Sequence, residues 1–411
     1  MRGCSYPNYY CLSILLLSLL SASAQVPDQS SIKKPVTFFV DQSATAGGDG
    51  TAVRPFQQIS TALAKAKSNN QGVIIQISSG IYTENLMISN HTTLRGIKKP
   101  VDALKKSTTI VVRGSIQNNN PVTLRIEDIQ IDNAPLPGAV VVTNATAITI
   151  LKQVIISRAT RYGIYQRGGT LKVTDATILL TVPGIIPVTG KTNKEETVCY
   201  GTGIFIKNTI SILTDVKLQR NVQGLVADGS TTVVDISNML AEQHAITMKE
   251  YFLCSTKAPE NGIAAIEARH GATMRVQGIK ILDNEIRGLS VHHGGRFIGN
   301  DVIVLRTRSI VCADRRRMGG INISVRNEAA WLELNRFESG YAELCGFQFI
   351  DAKGRCTDGS VHHNVIGMNI QRQPADFIYE DLMTSVRFEN NERNLDADVL
   401  PVPGVTIPDF R

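Results

Sequence analysis

Four residues past a recurring glycine, the chain of 411 residues places Arg167, Lys207, Asp228, Ile266, His292, Ser324 and Ile350. The polar part of this set, Arg167 to His292, holds residue types suited to an acidic sugar polymer. Eliminative cleavage of a uronic-acid chain needs a cation that neutralises the carboxylate, so that the neighbouring proton becomes acidic. It also needs a base to remove that proton. Lys207 or Arg167 suits the first task and His292 the second, so Lys207, Asp228 and His292 are the candidate catalytic residues. The competing reading is a solvated face on which Lys207 and Asp228 pair across neighbouring coils. In this frame Glu267 joins the set only if its strand shifts by one residue, with Ile266 then changing faces.

Two histidine doublets, His292-His293 and His362-His363, fall in different parts of their repeats and do not make one site. No third ligand accompanies either, so no metal residue is assigned. No cofactor is evident, and calcium has no motif behind it. A second binding candidate is a set of insertions, roughly Thr181 to Tyr200, Thr247 to Asn261 and Arg306 to Met318, each just before a leading glycine. Loops grouped on one edge of a rigid scaffold often bind. The third insertion carries Arg306, Arg308, Arg315, Arg316 and Arg317, which with Arg167 are the candidate substrate-binding residues.

The element that positions these residues is a repeat. Glycine precedes a short apolar alternation at Gly138, Gly163, Gly203, Gly224, Gly262, Gly288, Gly320 and Gly346. Between them lie segments such as "LKVTDATI" and "ISILTDVKL", whose period of two marks strands with one buried face. A polar residue recurs at the turn: Asp128, Gln153, Asp175, Asp215, Asp235, Asp301, Asn335 and Asn364, with Gly278 in the same column. Units this small must stack to bury their apolar faces. The fold class expected is all-β, a right-handed parallel β-helix solenoid, with the turn column as a structural ladder. Asn221 and Asn284 add a cue ahead of two glycines.

An N-terminal amphipathic helix cap is expected from "RPFQQISTALAKA", where Ile59, Ala62, Leu63 and Ala66 share one face and Pro55 opens the helix. The preceding "GGDGT" lacks the lysine and hydroxyl residue of a phosphate loop. The entry Val40-Asp41, Gly48 to Thr51, Pro55-Phe56, Ile59, Ala62-Leu63, Gly80, Tyr82 and Glu84-Asn85, followed by glycine-led coils, resembles the pectin-lyase-like superfamily of right-handed parallel β-helix proteins. That resemblance implies the fold. It names no activity, because the superfamily holds lyases, hydrolases, esterases, epimerases and adhesins. The Asn-Thr-Asp, Asp-Asp and Gly-His-Gly motifs of polygalacturonases are absent, as are the Asp-Pro-His of alginate epimerases and the Arg-Pro-Trp of pectin methylesterases. "RHG" at Arg269 to Gly271 is the nearest approach.

Residues 1–24, with the apolar run Cys11 to Leu20 and small residues to Ala24, read as a signal peptide. The cap and first coil are expected over 25–95, coils over 96–390 and a Pro-rich tail over 391–411. The formal charge is +7, or +6 without Arg2. This permits a polyanionic glycan partner, while no aromatic-basic motif suggests nucleic acid. No membrane span is expected, and the protein is read as secreted, at the cell surface or periplasmic. Asn90, Asn144 and Asn322 are glycosylation sequons if the pathway is eukaryotic. Export permits disulfides: Cys312–Cys345 is expected first and Cys199–Cys254 second, with Cys356 free. Two functions are carried forward: a polysaccharide-binding enzyme, read as a lyase on uronic-acid chains, and a non-catalytic surface or matrix protein.

Overall fold

Alternating apolar residues become parallel strands throughout. The computed structural model describes residues 35–67, 72–97, 109–184, 201–244, 263–311, 317–327, 329–372 and 379–396. The expected signal peptide, Cys199, Cys254, Cys312, Arg315 and Arg316 lie outside these residues. The described strands form a 16-stranded and a 12-stranded sheet, plus a two-stranded one. Each turn of the chain contributes one long strand to the first, as in Thr170–Leu179, Ile210–Gln219 and Val233–Glu242, and one short strand to the second, as in Thr202–Lys207 and Gln223–Asp228. Successive strands pair parallel and in register. The exception is the hairpin of Ser309–Val311 with Arg317–Gly319, which is antiparallel.

The core lies between the sheets. Ile164, Ile204, Leu225, Ile266, Leu289, Ile323, Phe347 and Met368 stack in one column and are fully buried. Each such side chain contributes roughly 1.5–3 kcal/mol by leaving water.

The long strands bend midway at a residue in the left-handed region: Gln153, Asp175, Asp215, Asn238, Gly278, Asp301, Arg336 and Asp358. Gly, Asn and Asp tolerate that conformation best, which is why the column is legible. Three expected members are replaced, the last being Asn364, whose coil bends at Asp358. Asn238 takes the place assigned to Asp235, and Arg336 the place of Asn335. The side chains form a ladder, with Asn238 donating to Asp215 (2.5 Å) and Arg336 to both oxygens of Asp301 (2.8 Å each). Asn364 belongs instead to an inner ladder with Asn221 and Asn284. There each asparagine accepts a backbone N–H of the coil before it, from Thr181, His244 and Ala342. Asn322, one of the sequons, is fully buried and donates to the Gly340 carbonyl (2.9 Å).

His244 is buried beside this ladder, its Nδ1 facing the Asn221 N–H at 3.2 Å. Burial holds its pKa down at about 4. A histidine whose folded pKa lies below its unfolded value contributes stability that is lost as pH falls. The chain should therefore lose about 3 kcal/mol between pH 6.5 and 4 from this group. Urea titrations at pH 7 and pH 4.5 check this, with His244→Gln expected to flatten the difference.

The helix spans Ile59–Lys67 and buries Ile59, Ala62, Leu63 and Ala66, the face expected. It starts four residues after Pro55. Glu84 serves its first turn, accepting from the backbone N–H groups of Ile59 (2.9 Å) and Ser60 (2.8 Å). That gives Glu84 of the entry pattern a structural task, since a carboxylate suits a helix N-terminus. At the far end, pairing continues through Met383–Glu389 and Arg393–Asp396, into the segment read as a tail.

Cys345 and Cys356 are both free and buried. The bridge expected between Cys312 and Cys345 is not formed. Cys345 opens a short strand, packs with Ile321, Leu344 and Ile366, and donates its thiol to the Phe347 carbonyl (2.7 Å). Burial pushes both thiols above their ordinary range. In the native state neither should react with a thiol reagent within minutes, whereas both should react fully in denaturant. Mass-spectrometric peptide mapping reads this out.

Candidate functional site

The short strands decide the site, because their alternate residues face outward in columns one coil apart. Strand pairing sets one column as Arg167, Lys207, Asp228, Arg269, His292 and Arg326. A second, two residues upstream, runs Tyr165, Phe205, Val226, Glu267, Ser290 and Ser324. Two members differ from the sequence frame. Ala265 and Asn322 occupy the stack position that Gly203, Gly224 and Gly288 hold, rather than Gly262 and Gly320. Arg269 therefore replaces Ile266 in the column, and Arg326 replaces Ser324. The strand is displaced by three residues from the sequence frame, rather than the one considered, so Ile266 points into the core and Glu267 faces outward.

The position selects small residues by crowding. A Cβ on Gly203 would sit 2.8 Å from the Gly224 carbonyl oxygen, and one on Gly224 would sit 2.4 Å from that of Ala265. Ala265 and Asn322 are accommodated in the same stack, so glycine is favoured there without being obligatory.

These residues form one connected chain of charge. Lys207 Nζ lies 3.4 Å from Asp228 Oδ1, the cross-coil pair foreseen in the solvated-face reading. Arg269 Nε donates to Asp228 Oδ2 (2.9 Å), and its NH1 donates to Glu267 Oε1 (3.0 Å). His292 Nε2 meets Glu267 Oε1 at 2.8 Å, and His292 Nδ1 meets His293 Nδ1 at 2.6 Å. Gln223 donates to the other oxygen of Glu267 at 3.1 Å.

Burial alone would raise the Glu267 pKa. The Arg269 charge and the His292 hydrogen bond outweigh it and hold the carboxyl at about 2. Asp228 is also held below the usual carboxylate range: burial opposes this, and Arg269 and Lys207 prevail. Burial lowers His292, and burial together with the charges of His270, Arg326 and Arg269 lowers His293.

The hydrogen-bond directions then follow. A neutral His292 donates from Nε2 to the Glu267 carboxylate. Its Nδ1 must accept, so His293 donates from Nδ1, and the lone pair of His293 Nε2 is left for a reactant. His292 itself is fully buried. This corrects its assignment as the group meeting a substrate: it links Glu267 to His293, which is exposed. His270 is exposed too, at 45%, with Nδ1 3.3 Å from Asp228 Oδ1 and its ring 5.4 Å from that of His293. Both residues sit in the left-handed region, with φ 52° and 49°, at the turn position that is Asn208 and Gly229 in earlier coils. Backbone strain of that kind collects at functional sites.

Lys207 is 40% exposed and Arg167 is exposed at the same edge. Tyr165 lies beside them, half-exposed and stacked on Phe205, with ring centroids 5.5 Å apart. The insertion arginines are elsewhere. Arg306 is held by Asp283 through two bonds of 2.6 and 2.8 Å, and Arg308 is exposed. Both precede Ile321–Arg326, whereas the histidines follow the opposite ends of their strands. Six strand residues, roughly 20 Å, separate the two edges. Arg317 contributes backbone to the hairpin. The second doublet is on the long-strand sheet, where His362 Nε2 meets Glu338 Oε1 at 3.0 Å. Among the described residues no group of three or more His, Cys, Asp or Glu is placed to hold a metal ion, and no helix is long and apolar enough to cross a membrane.

Parallel strands stacked coil upon coil into two large sheets define a parallel β-helix. Among solved structures the chain is similar to the A-module of the mannuronan C-5 epimerase AlgE4 of Azotobacter vinelandii, with a TM-score of 0.55 and 10% identity over 90% of this chain and all of that one. A lacto-N-biosidase of Eubacterium ramulus aligns over 87% of this chain and 67% of its own, at 8% identity and a TM-score of 0.21. No protein-family model and no curated protein sequence matches the chain.

Proposed function

We propose that this protein binds a 4-linked uronic-acid polysaccharide along the outer face of its short-strand sheet and cleaves it by β-elimination. The observation that carries the reading is the chain Glu267–His292–His293, a buried carboxylate oriented through one histidine onto an exposed one. The AlgE4 neighbour, a mannuronan C-5 epimerase by name, supports a uronate polymer as partner. In the reaction the His293 Nε2 lone pair takes the C5 proton. The imidazolium so formed shares its Nδ1 proton with His292, which Glu267 stabilises. Lys207 and Arg167, the exposed cations at this edge, lie three and four coils from His292, roughly 14 and 19 Å along the stack, and so suit the carboxylates of flanking sugars rather than that of the reacting one. Arg269 is already committed to two carboxylates, so its task is to hold Asp228 and Glu267 in place.

A second reading is favoured by one observation. Lys207, Asp228 and Arg269 satisfy one another, as a static, glycan-binding or adhesive face requires. Incubation with uronate polymers, followed by ultraviolet absorbance of the unsaturated product, separates the two. Product above a no-enzyme control supports elimination. Retention on an immobilised polymer without product, and without deuterium uptake at C5 in heavy water, supports the static face.

A further inference from the structure

His270 and His293 emerge from one edge of one sheet, in adjacent coils, and approach any bound sugar from the same side. Each is backed by its own carboxylate, His270 by Asp228 at 3.3 Å and His293 by Glu267 through His292. An elimination needs two proton transfers: one from C5 to a base, and one to the departing O4 from an acid. We propose that His293 is the base and His270 the acid, so that the enzyme performs syn elimination. It therefore selects uronates whose C5–H and C4–O bonds lie on one face of the ring. Those are the manno- and gluco-configured residues. In galacturonate and guluronate the two bonds lie on opposite faces, beyond the reach of two groups on one wall. This inference rests on the elimination reading above.

The step balances. His293 Nε2 accepts the C5 proton, and the C–H electron pair becomes the C4–C5 double bond. The C4–O4 bond breaks with its electrons on oxygen, and the oxygen takes the Nε2 proton of His270. Asp228 balances the charge of protonated His270 before the transfer, and Glu267 balances that of His293 after it. The sum is one glycosidic bond cleaved and one unsaturated end formed, with no oxidant, reductant or added water. Proton exchange with solvent returns both rings to their starting forms.

Four polymers test the assignment: polymannuronate, hyaluronan (whose glucuronate is 4-linked), polygalacturonate and polyguluronate. Unsaturated product is read by ultraviolet absorbance and mass spectrometry. The expected result is cleavage of polymannuronate or hyaluronan at least about 100-fold faster than of the other two. His270→Gln should lose about 100-fold or more of that rate while keeping the circular dichroism spectrum and thermal midpoint of the parent. Cleavage of polygalacturonate or polyguluronate at an equal or greater rate overturns the syn assignment and leaves the elimination reading standing. A His270→Gln variant of unchanged rate overturns the role of His270. If none of the four polymers yields unsaturated ends, the elimination reading fails and the syn assignment falls with it.

Discussion

Replacing Arg269 with methionine is expected to destabilise the protein by about 3–5 kcal/mol, the cost of breaking a buried ion pair by removing one partner. The guanidinium is only 10% exposed and lies between Asp228 and Glu267, whose side chains are 6% and 0% exposed. Methionine keeps the bulk of the stem and removes the charge. Two carboxylates then remain buried with His292, Gln223 and Lys207 as their nearest support. The sign of the pH dependence follows. In the native protein Glu267 titrates at about 2, below the ordinary 4.5. Its pairing therefore contributes stability at pH values above 4.5, which is lost as pH falls toward 2. In Arg269→Met the carboxyl pKa should rise, and the variant should regain part of its deficit relative to wild type on mild acidification. Urea unfolding at pH 7 and pH 5 measures both effects. Equal stability of variant and wild type at pH 7 would mean that the charge network is not held as described.

The second large effect is catalytic. His293→Asn should lower turnover by about 100- to 10,000-fold, the range for a general base. Its circular dichroism spectrum should match wild type, with a stability loss of about 1–3 kcal/mol from removing the donor to the buried Nδ1 of His292. Asparagine is the informative replacement because it tolerates the left-handed backbone that His293 adopts, φ 49°. The burial and neighbouring charges that lower the His293 pKa keep the imidazole neutral, so the acid limb of kcat/KM should rise with pH through a value below 6.5. A matching limb that persists in His293→Asn would assign the titration to another group.

Much of the scaffold was legible because its constraints repeat. The left-handed bend can be filled comfortably by few residue types, so Asp175, Asp215, Gly278 and Asp301 advertised it. The helix face of Ile59, Ala62, Leu63 and Ala66 followed from its period alone. The site was half legible for a related reason. Counting from glycine found Arg167, Lys207, Asp228 and His292, since Gly163, Gly203, Gly224 and Gly288 do share one stack. The count failed where the stacked residue is Ala265 or Asn322, each three or two residues past the nearest glycine. A slip of this size moves a side chain along or across the sheet, and it hid Arg269, Arg326 and Glu267.

The downstream turn carries the better signal. "ADG" at Ala227, "ARHG" at Ala268 and "VHHG" at Val291 align without gaps once the left-handed turn, rather than the strand's first glycine, is taken as the reference. That alignment also pairs His270 with His293. The roles of the two neighbours in a doublet could not be read from spacing. Alternation says that His292 and His293 differ in environment. Only the placement of Glu267 and Arg269 one coil earlier shows which is buried and how its tautomer is set. Cys345 was misread for the opposite reason: closeness in the coil frame suggested a bridge, while the apolar pocket of Ile321, Leu344 and Ile366 keeps the thiol inside.

The most direct test of the central claim is the rate of unsaturated-end formation from polymannuronate and hyaluronan, measured side by side for wild type, His293→Asn and Glu267→Gln. Proton transfer through Glu267–His292–His293 predicts steady product from the wild type. It predicts a loss of about 100-fold or more in His293→Asn, and a loss in Glu267→Gln accompanied by a shifted acid limb of the pH profile. Product formed by His293→Asn at the wild-type rate, or no product from wild type on either polymer, contradicts it.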